Sequence, residues 1–312
     1  MISTQSVNTG VSEIAGHSWP RIALVTPVRN SGAYIEQTIL SVVSQNYPNL
    51  DYFIVDGGST DNTVEIIRKY EKHISGWVSE PDQGMYDALN KGFARTTGEV
   101  MGWISATDKF HTGGLFVVGG VFRDLPQVEW ITGRPTSFNE EGVTALIEPL
   151  KRWSRYRFLA GANRYIQQES TFWRRSLWEK AGGYIDATRR MASDFELWVR
   201  FFRHAQLHSV DALIAGFRVH PVSLGIQLEE ECHAIQRAII DAELQRDDTP
   251  PSLRRFRSLD LLVKRVPKVR NWWHHHVLLN LQRTLYHRPS SDWPPVIHCQ
   301  LFSQSQKWVF RP

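Results

Sequence analysis

Cysteine is nearly absent from this 312-residue chain, which holds only Cys232 and Cys299. Two thiols so far apart supply neither a disulfide framework nor the paired spacing of a zinc site. Their scarcity suits a reducing, cytoplasmic compartment. Long apolar runs are lacking too. No stretch approaches the roughly 20 residues that a membrane-spanning helix needs, so any membrane contact is expected to be peripheral. Residues 1–19 have no basic segment followed by an apolar one, and are expected to form a polar lead-in, not a signal peptide. Two nucleotide motifs are missing. No GxGxxG follows the first predicted strand, which disfavours a dinucleotide site, and the absence of GxxxxGK[ST] excludes a P-loop. We find no internal repeat or low-complexity tract.

What is present can build a full core. Hydrophobic residues make up 42% and charged residues 22%, enough for one large α/β domain with additions. The formal charge of +4 is mild, but it is unevenly placed. Residues 251–312 carry eleven Lys/Arg against Asp260 and Asp292, with five His besides. The base therefore gathers at the C-terminal end.

Strand and helix signals alternate over the first hundred residues. Residues 21–26 (RIALVT) read as a buried strand stopped by Pro27. Residues 34–45 place Ile35, Ile39, Val42 and Val43 on one helical face. Residues 52–55 (YFIV) form a second strand, closed by Asp56-Gly57-Gly58-Ser59. Asn62 and Glu65 resemble a capping box opening the next helix. Residues 77–79 are a short strand, 85–94 a helix with Gly92 as a soft spot, and 100–105 a fourth strand. Such alternation predicts a mostly parallel sheet with right-handed crossovers. Ligands bind such sheets beyond the carboxyl ends of the strands. Residues 27–30, 56–61, 80–84 and 105–108 should therefore converge on one cleft, with Asp108 on its rim.

The stretches "VTPVRNSGAYIEQTILSVVSQNYPNLDYFIVDGGSTDNTVEII" and "SEPDQGMYDALNKGFARTTGE" carry a resemblance. Together, in this order and spacing, they resemble the family 2 glycosyltransferases, which have the GT-A fold. The likeness covers roughly residues 20–220 and implies transfer of a sugar from a nucleoside diphosphate donor, with inversion at the anomeric carbon. It also implies a divalent metal, Mg or Mn, on the diphosphate. Thr26, Pro27, Val28, Asn30, Asp56, Gly58, Asp82, Asn90 and Lys91 then fall to the nucleotide-sugar site. Of these, Pro27 and Val28 line the base pocket, Asp56 accepts a nucleobase N–H (most simply N3–H of uracil), and Asn90 and Lys91 face the donor. Asp108 stands at the metal signature and Asp194, in "MASDFELWVRF", at the catalytic base. The chain departs from the family pattern at Thr107, where a second acid is common. A lone carboxylate can hold Mg²⁺ when phosphates and water fill the other positions.

Each residue also has a plainer reading. An Asp after a strand is commonly a turn or helix-capping residue, which applies to Asp56, Asp108 and Asp194. Gln168, Glu169 and Trp173, in a polar run ending in aromatics, are suited to acceptor binding. Glu169 competes with Asp194 for the role of base, or forms a structural ion pair. Trp173 is either a sugar platform or a core residue. The triple His274–His276 lacks helical i,i+4 spacing to a further ligand and reads as exposed or interfacial.

The expected organisation is a GT-A catalytic domain over residues 20–224, divided near residue 110 into donor and acceptor halves. A mainly helical extension follows over 225–312. After a predicted strand at 212–220, residues 227–246 read as a long helix and 247–251 (DDTPP) as a breaker. Residues 251–290 interleave Leu and Val with Arg and Lys. They suit either a helical appendage or contact with an anionic bilayer, where a polyprenyl-linked acceptor would reside at the inner face of the membrane. No motif supports nucleic-acid binding. The function expected is a glycosyltransferase acting on a glycan or lipid-linked acceptor. The competing readings are a non-catalytic nucleotide- or glycan-binding scaffold, which Thr107 favours, and a nucleotidyltransferase, which "TPVRNSG" matches poorly.

Overall fold

Period-two alternation decides which core each strand residue joins. Strand β1 (Ile22–Val28) sends Ile22 and Leu24 to one core and Ala23 and Val25 to the other. The computed structural model describes residues 18–161, 165–220, 228–264, 293–302 and 305–311. In it β1 is flanked in parallel by β2 (Leu50–Asp56) and β4 (Val100–Trp103), and β2 by β3 (Gly76–Ser79). The helices α1 (Ile35–Val43), α2 (Thr63–Lys69) and α3 (Met85–Phe93) connect them. The helix before β3 is not opened by the expected capping box. Asn62 makes no side-chain cap, and Asp61 accepts the amide of Thr63 at 3.0 Å instead.

Beyond β4 the chain builds a second sheet of β5 (Lys109–Phe110), β7 (Thr136–Phe138), β8 (Thr144–Ile147) and β11 (Ala215–Arg218), in the order β5-β11-β7-β8. The main sheet is widened by β6 (Trp130–Thr132), β9 (Thr171–Arg174) and β10 (Leu207–Ser209). Its order is β10-β6-β9-β4-β1-β2-β3. Only β9 runs against its neighbours. This is a mixed α/β molecule whose large, mostly parallel central sheet is flanked by helices, including α4 (Gly114–Asp124), α5 (Arg155–Leu159), α6 (Arg175–Lys180) and α7 (Ser193–His204).

On one side of the sheet an aromatic cluster forms the core. Trp103 stacks on Trp198 at 5.7 Å, and Trp173 meets them edge-on at 5.4 and 5.6 Å. Rings of this size each bury roughly 150–250 Å², so they fix how α7 lies on the sheet.

The C-terminal region is tied to this body at two places. Helix α8 (Glu229–Gln245) packs on α7, where Arg203 pairs with the buried Glu243 at 2.6 Å. Helix α9 (Pro251–Lys264) opens with proline at its first position, where the missing N–H costs nothing. Its Ser252 meets Tyr156 of α5 at 2.7 Å, and Leu253 is buried. Strands β12 (Ile297–Phe302) and β13 (Ser305–Phe310) return as a hairpin. Ile297 is fully buried, and the Trp308 amide donates to Asp124 of α4 at 2.9 Å. The predicted extension is thus part strand, and its last segment completes a core. The basic residues 265–290, the triple histidine and residues 1–17 lie outside the described residues. Among the described residues, no helix is long and apolar enough to cross a membrane.

Candidate active site

The ends of β1, β2 and β3 are stapled together by their own loops. Asn30, in the left-handed region at φ 49°, takes a hydrogen bond from the Thr60 amide on Oδ1 at 2.8 Å, while its own amide donates to Ser59 Oγ at 2.7 Å. Gly32 donates to Asp61 at 3.0 Å. Asp56 is completely buried. Its Oδ1 accepts the Ser59 hydroxyl at 2.5 Å, and its Oδ2 accepts the Ser59 amide at 3.0 Å and the Ser79 hydroxyl at 2.6 Å. One of the four acceptor positions of a carboxylate is left, on Oδ1. A side chain at Gly57 would collide with Asp82, its Cβ falling 2.3 Å from the carboxylate, so glycine lets the loop carrying Asp82 close over the end of β2. Gly58 follows at φ +76°, a turn conformation that a Cβ would strain.

Not every expected donor residue faces this region. The Thr26 hydroxyl is buried against Tyr52 OH at 3.0 Å, inside the sheet. Pro27 and Val28 are also buried, at the very end of β1. Asn90 is a correction: its amide donates to the carbonyl of Ile185 at 2.7 Å and its carbonyl accepts the Ile185 amide at 2.9 Å. Both ends of the side chain are spent clamping α3 to the segment before α7. Lys91 is held by Asp87 at 3.1 Å and Glu80 at 3.4 Å. Trp173 is a second correction. It is fully buried in the aromatic core, and a sugar could stack on it only by displacing its neighbours.

The loop after β4 is propped from beneath by α1. The buried Thr38 hydroxyl lies 2.8 and 2.7 Å from the carbonyls of Ala106 and Asp108. Asp108 is 1% exposed. Its Oδ1 accepts the Arg218 amide at 2.9 Å, its Oδ2 accepts Gln168 Nε2 at 3.3 Å, and the Ser105 and Thr107 hydroxyls also donate to it. Burial pushes its carboxyl up to about 7, against the opposing pull of Arg218. Both oxygens of this carboxylate are thus already engaged by groups from distant segments, one by the Arg218 amide and one by Gln168. The neighbouring Thr107 brings no charge, and no group of three or more His, Cys, Asp or Glu among the described residues suits a metal ion. The donor set therefore does not fit the metal role that the resemblance implied for Asp108. The residue is instead a brace that holds the loop to β11 and to the turn Gln168–Ser170.

Arg218 is the residue that sequence reasoning missed. Its guanidinium is fully buried on β11 and donates to the carbonyl of Thr107 at 2.6 Å, that of Glu140 at 2.7 Å and Gln37 Oε1 at 3.1 Å. The signal was an arginine inside an otherwise strand-like "AGFRV". Lys109 adds a second positive charge nearby, and its ammonium donates to the carbonyl of Gly142 at 2.8 Å. Burial, and then the charge of Arg218, hold Lys109 below its ordinary range.

Asp194 lies in the first turn of α7. It does not occupy the capping position, which belongs to Ala192, a non-glycine residue at φ 62°. This conformation costs an L-residue roughly 1–2 kcal/mol, and strain of this kind gathers at functional sites. Replacing Ala192 with Gly is expected to keep or raise stability by up to ~1 kcal/mol, whereas the same change in a relaxed helix or strand lowers it. Urea denaturation checks this, and a loss above about 1 kcal/mol would show that the turn stores no strain. Tyr86 of α3, also missed from sequence, points its hydroxyl at Asp194 Oδ1 at 3.4 Å. Burial raises the Asp194 carboxyl above the ordinary range, while the amides of Phe195 and of Asp194 itself, and Tyr86, oppose the shift.

Between these acids in sequence lies Glu169, 1% exposed, in the turn Gln168–Ser170. Its carboxyl is raised well above the ordinary range, first by burial and then by the charge of Asp108 and, more weakly, of Asp194. Tyr165, 56% exposed, also feels the charges of Glu169, Asp108 and Asp194. One electrostatic neighbourhood thus joins Asp108, Glu169 and Asp194, drawn from three separate elements.

Comparison with known proteins bears on the family and the fold. The family described as Glycosyl transferase family 2 matches residues 23–120. An uncharacterized glycosyltransferase of Mycobacterium tuberculosis is 31% identical over 192 residues, covering 59% of this chain and 69% of the relative. A Bacillus subtilis protein assigned to teichuronic acid biosynthesis as a glycosyltransferase is 35% identical over 132 residues, 41% of this chain and 49% of that protein. Among solved structures, residues 1–349 of Staphylococcus aureus TarS in complex with UDP-GlcNAc superpose with a TM-score of 0.63 at 17% identity. That match covers 84% of this chain and 77% of the other, and shows a shared fold.

Proposed function

Because the chain belongs to glycosyl transferase family 2 and is a glycosyltransferase, we propose that it transfers a sugar, with inversion, from a UDP-sugar to a hydroxyl of a glycan or lipid-linked acceptor in cell-surface polysaccharide assembly. The observation that carries this reading is Asp194. It is a carboxylate whose basicity is raised by burial, steadied by Tyr86, and shares an electrostatic neighbourhood with the loop after β4. A raised carboxylate suits a general base working near neutral pH. The acceptor oxygen attacks the anomeric carbon from the side away from the diphosphate. Its proton passes to Asp194, the bond from carbon to phosphate oxygen breaks, and the nucleoside diphosphate leaves with the electron pair. Negative charge builds on that leaving group, and Arg218 and Lys109 bring fixed positive charge to the 105–108 loop. No step is assigned to a metal.

UDP is favoured because Asp56 keeps one acceptor position, which suits the single imide N–H of uracil. The UDP-GlcNAc complex of TarS supports the same choice. The teichuronic acid relative supports a polysaccharide acceptor. A second reading, a scaffold that binds donor without turnover, is favoured by the neutral Thr107 and by an Asp108 whose two oxygens are both engaged. The test is a thermal-shift panel of UDP-GlcNAc, UDP-glucose and GDP-mannose with EDTA present, followed by assay of released nucleotide. A UDP-sugar at a hundredfold excess over its dissociation constant should add about 2.7 kcal/mol, with UDP then released. Stabilisation by GDP-mannose alone would refute the choice of base, and binding without any release would favour the scaffold.

A further inference from the structure

Glu169 is unusual for a buried carboxyl. Neither of its oxygens has a hydrogen-bond partner on another residue. An ionised carboxylate left this way is costly, because a buried charge needs a partner of opposite sign. The titratable and charged groups that face it among the described residues offer none. Asp108 comes from the loop after β4, Asp194 from α7 and Tyr165 from the segment just before the turn. Arg218, on the adjacent β11, donates its three side-chain hydrogen bonds elsewhere and its amide to Asp108. A carboxylic acid that keeps its proton escapes the conflict. It then presents one O–H donor and one carbonyl acceptor side by side, the pair that a sugar hydroxyl can match by accepting one hydrogen bond and donating another.

Building on the glycosyltransferase reading above, we propose that Glu169 is an acceptor-binding residue that works as an uncharged carboxylic acid, holding a hydroxyl of the incoming sugar beside Asp194. This assigns it a role other than that of base, since a protonated acid cannot take up the acceptor's proton. It also gives the neighbouring acids separate tasks: Asp108 braces, Asp194 accepts a proton and Glu169 positions. Two carboxyls in related surroundings that differ in protonation are a recurring way to divide such work.

Glu169→Gln keeps a donor and an acceptor at the same place and removes the titration, while Glu169→Met removes both polar functions at similar length. The first measurement needs no substrate. With its folded pKa raised, wild-type Glu169 favours the folded state fully below the ordinary glutamate range, and that advantage is lost as pH rises toward the raised value. Relative to Glu169→Gln, the unfolding constant of the full-length wild type should therefore grow about tenfold per pH unit from pH ~5 upward. A ratio that stays flat between pH 5 and 8 overturns the proposal, whether or not the protein proves active.

The second measurement follows transfer from UDP-GlcNAc to p-nitrophenyl glycosides, and to water, at pH 7. Glu169→Gln should stay within about threefold of wild type, and Glu169→Met should lose at least about tenfold, with the KM for the glycoside raised and the UDP-GlcNAc thermal shift unchanged. Equal damage in both variants, or no damage in Glu169→Met, refutes the role. If wild type itself binds no nucleotide sugar, the glycosyltransfer reading fails instead, and the denaturation ratio still decides the state of Glu169.

Discussion

Asp194→Asn is expected to lower sugar transfer by about 10²–10⁴-fold, the usual worth of a positioned general base, while donor-induced stabilisation stays the same. The asparagine fits the same space and still accepts a hydrogen bond from Tyr86, so what it removes is proton uptake. The pH dependence should carry the same signature. Burial raises the Asp194 carboxyl, so the acid limb of the wild-type rate should lie above the ordinary aspartate value near 4 and vanish in the variant. Stability should move the other way. A carboxyl with a raised folded pKa gives stability that is present at low pH and lost as pH rises through the folded value, so Asp194→Asn should lose less stability than wild type between pH 5 and 8. Rate measurements from pH 5 to 9, paired with denaturation, check both. A variant that turns over within about tenfold of wild type would remove Asp194 from the mechanism.

Arg218→Met is expected to be the most damaging single change to the fold of the site, costing about 3–5 kcal/mol. The guanidinium is fully buried and donates to Thr107, Glu140 and Gln37. Methionine would fill much of the volume but leave these acceptors unpaired, each at about 1–3 kcal/mol if no water reaches it. Asp108 would also lose the positive charge that opposes its rise, and would hold its proton more tightly still. Arg218→Lys should rescue only part of the loss, because one ammonium cannot reproduce the planar fork that reaches three separate acceptors. Urea denaturation of the three proteins at pH 7 gives the ranking. A cost below about 1 kcal/mol for Arg218→Met would mean that solvent enters and replaces the bonds.

These two residues were not equally visible beforehand. Asp194 could be picked out because it sits in a local motif, "MASDFELWVRF", that stands where the family resemblance puts the catalytic base, although its place at the head of an amphipathic helix equally suited a capping residue. Arg218 could not, because its partners lie 78 to 181 positions away in sequence. The same contrast runs through the whole molecule. The alternation of strand and helix over the first hundred residues determined the parallel order of β1 to β4, since crossover handedness and strand periodicity are local properties. It also determined which loops lie together at the strand ends.

Tertiary structure alone decided how each polar side chain is spent. Asn90 and Asp108 look alike in sequence as residues able to meet a donor. One is consumed by the backbone of Ile185, the other by the Arg218 amide and Gln168, which folding brings from distant segments. Trp173 suits a sugar until β9 is seen to run through the centre of the sheet, with its indole among other aromatics. The physical reason is that the hydrophobic pattern is repeated along the chain, so local sequence can state it. Hydrogen-bond satisfaction is a property of whichever groups folding brings together, and is settled only when the last strand is in place.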